Sequence, residues 1–110
     1  MRAMTMANHI INKCYNDGKP VNNIRLNLIL WLMSKDYLKE RPYPLFCDDE
    51  VLLDGAFPKF KDVYYRFCSY GERPIGKVPE ECVAYSNFLE TMIWFYNQKH
   101  TQELLRLATN

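Results

Sequence analysis

The segment IRLNLILWLMSKDYLK, from Ile24 to Lys39, constrains the chain most, because a helix drawn through it is apolar on nearly every side. Only Arg25, Asn27, Ser34, Lys35, Asp36 and Lys39 interrupt the apolar run. At about 100° per residue, Leu26, Ile29, Leu30, Met33 and Tyr37 share one face, which reads as core. Ile24, Leu28, Trp31, Lys35 and Leu38 recur at spacings of 4, 3, 4 and 3 on the other side, so a second stripe runs the length of the helix. Two stripes require two neighbours. Either the helix is central to a small bundle and buries both within its own chain, or the second stripe meets another protein. In the second case Trp31 is the natural anchor, since large aromatics in desolvated pockets carry a disproportionate share of interface energy.

The flanking sequence supplies further helices. Thr5 is a candidate cap for a helix over residues 6–16, with Met6, Ala7, Ile10, Ile11 and Cys14 inward. Gly18 and Pro20 stop it, one by reaching the left-handed region and the other by failing to extend a helix. Asn22 or Asn23 can cap the central helix, and "RPYP" ends it. The run Val51–Leu53 predicts a short strand or extended segment. Pro58 at a first turn, then Phe60, Val63, Tyr64 and Phe67 at helical spacing, predict a third helix. Pro79, Glu80 and Glu81 suit the start of a fourth, with Cys82, Tyr85, Leu89, Met92, Ile93 and Tyr96 inward, Phe88 and Phe95 widening that face, and Trp94 pointing almost the other way. Thr101 can cap a last short helix. The expected fold is mainly α, a single domain over 1–110 with about five helices.

Fourteen Lys and Arg against thirteen Asp and Glu leave a net charge of +1, so no global field calls for nucleic acid or an anionic membrane. No apolar run is long and charge-free enough to span a bilayer. Four separated cysteines, with no Cys-x-x-Cys pair and no signal-peptide pattern, predict reduced thiols in a cytoplasmic protein.

Motifs that would carry chemistry fail where the chemistry sits. "GERPIGKV", residues 71–78, places Gly71, Gly76 and Lys77 like a phosphate loop, but Val78 replaces the magnesium-binding hydroxyl and Pro74 removes an amide. His9, His100 and the cysteines lack zinc spacing, and Asp48, Asp49 and Glu50 lack the alternation of a calcium loop. Neither a metal nor a cofactor is expected, and no enzyme signature is present. Lys59, Lys61, Arg66, Arg73 and Lys77, interleaved with Phe60, Tyr64, Tyr65 and Tyr70, could form a basic stacking surface for single strands. The alternative is that the rings face the core while the cations stay in water. A nucleic-acid role is the disfavoured reading.

Taken in order, "MTMANHIINKCYNDGKPVNNIRLNLILWLM", "YPLFCDDE", "VYYRFCSYGERPI" and "TQELLRLAT" resemble the SocA-like, phage-associated Panacea domain family over nearly the whole chain. Two departures stand out. Members carry Gln-Lys where this chain has Asn27 and Leu28, and Trp-x-x-Gly-Pro near its "LLDGAFP". The resemblance implies a mainly helical domain without catalytic activity, acting as an antitoxin that neutralises a toxin partner, in one branch as a proteolytic adaptor. An inhibitor of a host defence protein is the alternative role on the same fold. The expected contact is Leu28, Trp31, Lys35 and Leu38, with the altered segment Asp54, Gly55, Ala56 and Phe57 as a second candidate. Self-association through the same stripe is left open.

Overall fold

Helix α1 (Ala3–Asn16) begins earlier than Thr5 would have it, because its cap comes from far along the chain. The Ala3 N–H donates to Asp48 Oδ1 at 3.0 Å, while the Thr5 hydroxyl reaches Glu81 instead. A side-chain acceptor from a distant loop satisfies the orphan amide as well as a local cap would. Gly18 closes the helix at φ 75°, and the Lys19 N–H returns to the Cys14 carbonyl at 2.9 Å. The computed structural model describes residues 1–109. It is mainly α, a single domain of five helices and one two-stranded hairpin.

Helix α2 (Asn23–Glu40) is capped by Asn22, whose side chain accepts the Arg25 N–H at 2.9 Å. It runs through the middle of the molecule and packs against α1, the hairpin and the three later helices. Leu26, Ile29, Leu30 and Met33 are fully buried, as one stripe requires, and Leu28 from the other stripe is fully buried too. Most of α2 is therefore enclosed by its own chain. The buried Asn27 fastens the hairpin to it: its Oδ1 accepts the Phe60 N–H at 2.8 Å, and its Nδ2 donates to the backbone and side-chain oxygens of Asn23.

The extended segment expected near Val51 is strand β1 (Val51–Leu52), paired antiparallel with β2 (Lys59–Phe60). This pairing corrects the start of the third helix. Pro58 is buried ahead of β2 rather than in a first helical turn, and α3 (Lys61–Arg66) begins only where the Lys61 N–H has bonded the Glu50 carbonyl. A turn of 3-10 helix, Cys68–Tyr70, follows.

The fourth helix is shorter than its sequence suggests. Residues 72–86 form no helix, and α4 (Asn87–Asn97) starts at Ser86, whose Oγ accepts the Leu89 N–H. Pro79, Glu80 and Glu81 belong instead to an extended strap across α1, and Cys82 is exposed on it rather than facing the core. The strap is pinned at several points. Ile75 is buried and its N–H bonds the Val21 carbonyl. Asn12 pairs with Val78 as a neighbouring strand would, accepting its N–H at 2.9 Å and donating to its carbonyl at 2.8 Å. Both ring nitrogens of His9 meet carboxylates, Glu80 and Glu90, and Tyr85 stacks on the ring at 4.1 Å between centroids. These contacts outweigh the few tenths of a kcal/mol that acids gain at a helix start. Helix α5 (Thr101–Thr109) closes the fold against α2.

Candidate protein-interaction surface

The outer side of α4 carries two large exposed rings. Leu89, Met92, Ile93 and Tyr96 point to the core, which leaves Trp94 and Phe95 flanking the opposite face, 54% and 48% exposed. Phe95 had been expected on the inner side. Its place one residue before Tyr96, at 100° around the helix, puts it outside once Tyr96 is seated against α2. That seating is fixed by the Tyr96 hydroxyl, which donates to Asp36. Burial and this bond together raise the Tyr96 pKa above the ordinary phenol range.

The aromatic character continues toward the end of α2. Arg41 lies between two rings, 4.3 Å from the Tyr37 centroid and 4.8 Å from that of Phe88. Tyr43, more than half exposed, meets Tyr37 edge to face. Leu38, in the last turn of α2, is 50% exposed. At the other end of α4 the Lys99 ammonium covers Phe95 at 4.4 Å. Exposed rings bordered by cations are the composition enriched at the centres of protein interfaces, where Trp, Tyr and Arg dominate.

The residues expected from sequence are divided by the fold. Leu28 is removed from the candidate surface, since it is sealed in the core and cannot touch a partner. Trp31 is partly buried against the core, and its indole N–H is enclosed with no acceptor among the described residues. Lys35 lies over the Trp31 ring at 5.8 Å, so the two form a flank with less free surface than α4. Leu38 is available. Asp54, Gly55 and Ala56 are exposed at the hairpin tip, with Phe57 partly buried behind them under the Lys59 ammonium. The sequence had shown Trp94 turned away from the core; Phe95 had no such signal.

The basic segment is mixed. Phe60 and Phe67 are buried, Lys59 is spent over Phe57 and Tyr64, and Arg73 curls back onto the Ser69 and Tyr70 carbonyls. Tyr65 remains as a well-exposed ring there. Among the described residues no three His, Cys, Asp or Glu side chains converge as a metal site, and no helix is long and apolar enough to cross a membrane. Comparison with known proteins gives no match to any family model, curated protein or solved structure.

Proposed function

We propose that the chain is a non-catalytic interaction module that binds and masks a partner protein in the manner of an antitoxin. The observation that carries this reading is the outer face of α4, where Trp94 and Phe95 stand in water on a helix whose inner side is core. Seating such rings in a partner's pocket is favourable by roughly 25 cal/mol for each Å² of apolar surface covered. The Arg41 cation against Phe88, with Tyr43 beyond it, lies toward one end of this face and Lys99 at the other, which gives the site a polar border. Masking needs contact alone and no reacting group.

The antitoxin part of the proposal rests on the sequence resemblance to Panacea domains, and a toxin is the partner it names. Co-expression with the product of the adjacent gene tests it. The expected result is a co-purifying complex and recovery of growth that the toxin alone arrests. A toxic neighbour that neither co-purifies nor loses its toxicity would sink the reading.

A further inference from the structure

Where α2, α4 and α5 meet, an open cavity of about 300 Å³ lies between the Lys19–Pro20 turn and the link from Asn97 to Thr101. Four of its lining residues are basic, Lys19, Arg25, Lys99 and His100, and no Asp or Glu is among the described residues that line it. Thr101, the first residue of α5, is part of the same wall, so the positive end of that helix adds to the local potential.

Arg25 is the unusual member. Its half-buried guanidinium donates to the Thr101 hydroxyl at 3.1 Å and to the Asn97 carbonyl and Oδ1 at 3.2 and 3.1 Å, all of them neutral acceptors. A cation drawn from water ordinarily takes an anion as partner. Burial lowers the Arg25 pKa, the mark of desolvation that no carboxylate offsets. The nearby Cys14 thiol supplies no charge, because burial pushes it up to about 12. Glu103, in the first turn of α5, is engaged by Arg106 through bonds of 3.0 and 2.6 Å. The wall is also set in advance. Asn97 accepts from Arg25 with its Oδ1 and donates from its Nδ2 to the Lys19 carbonyl at 3.0 Å, tying two sides of the cavity together.

We infer that this cavity binds a small phosphate-bearing anion, with the phosphoryl oxygens taken by Arg25, Lys19 and Lys99. Several cations beside a helix start match a dianion better than a single carboxylate. Apart from Pro20 the lining side chains are polar or charged, which suits a phosphate and offers no seat to a hydrocarbon. The volume is at the lower end of the range for ligand cavities, about 300 to 1,000 Å³, so inorganic phosphate or a phosphorylated sugar fits. The inference goes beyond partner masking and is independent of it, since it concerns the chain alone.

The test is a titration of the isotope-labelled chain with inorganic phosphate and, separately, ribose 5-phosphate, followed by amide NMR against chloride at matched ionic strength. Saturable shifts are expected at Lys19, Lys99, His100 and Thr101, with a Kd of about 1 mM or tighter. The Phe95 ring signals should move with them, because Lys99 leaves the ring when it turns to the anion. Tighter binding of ribose 5-phosphate would assign a phosphorylated small molecule and equal binding free phosphate; both support the site. Arg25→Gln also removes bonds between helices, so Lys99→Gln and Lys19→Gln carry the mutational arm. Each should weaken binding about tenfold while leaving the melting temperature in place. Shifts no larger than those from chloride, or a titration that both lysine variants leave unchanged, would overturn the inference.

Discussion

Replacing Asn27 by alanine should be among the most damaging single changes in the molecule, although it deletes only an amide. Asn27 is fully buried on α2, and its side chain makes three hydrogen bonds of 2.8 to 3.0 Å. Alanine leaves the Phe60 N–H without its acceptor in a residue that is itself buried, and leaves the buried Asn23 Oδ1 without its donor. An orphaned buried polar group costs about 1–3 kcal/mol, so two of them place the loss at about 2–6 kcal/mol. A chain of this length has roughly 5–15 kcal/mol of stability in total. The melting temperature should therefore fall by about 10 to 25 °C. Thermal unfolding followed by circular dichroism reads the shift, with Asn22→Ala as the comparison, a cap loss expected to cost about 1 kcal/mol. If Asn27→Ala melts within about 3 °C of the parent, or above Asn22→Ala, the hairpin is not held as described.

Three further outcomes follow from other parts of the structure. At pH 8 a thiol alkylating reagent should label Cys47, Cys68 and Cys82, which are exposed, and spare the buried Cys14 until the chain unfolds; equal rates at all four would contradict its burial. Burial, then Asp17, holds the Cys14 thiol neutral up to about 12, so its contribution to stability is complete below the ordinary thiol range. That contribution should fade as pH rises from about 9 toward 12, and Cys14→Ala should flatten this alkaline limb of the stability profile. Asn12→Ala should release the strap first: amide exchange should quicken near Val78 while α2 stays protected, and uniform loss of protection would show that the strap is not a separate unit.

The helices that announced themselves were those whose stops are local. Gly18 with Pro20, the Asn22 cap and the repeat of Leu26, Ile29, Leu30 and Met33 each act within a turn or two, so α1 and α2 were legible, apart from the Asp48 cap. The two prolines misled for a common reason. Pro58 and Pro79 both suit a first helical turn, but Lys59–Phe60 has a strand partner eight residues upstream and Val78 has Asn12 on α1. Bonds to partners outside the local turn won over weak local preference. On the surface, the helical wheel identified two stripes on α2 without revealing that α2 has neighbours on most sides. Leu28 was therefore misplaced, whereas Trp94 was correctly set apart from the core. The basic cavity draws on Lys19, Arg25 and Lys99, which no single periodicity links.

The central claim, that the outer face of α4 is a protein-binding surface, is tested most directly by the affinity of a Trp94→Ala, Phe95→Ala double variant for the adjacent gene's product. Both side chains are about half exposed, so the variant should melt near the parent temperature. Calorimetry should show binding by the parent chain and a loss of at least about thirtyfold in the variant, the scale of losing an aromatic anchor worth about 2 kcal/mol. A variant that binds as tightly as the parent would contradict the account.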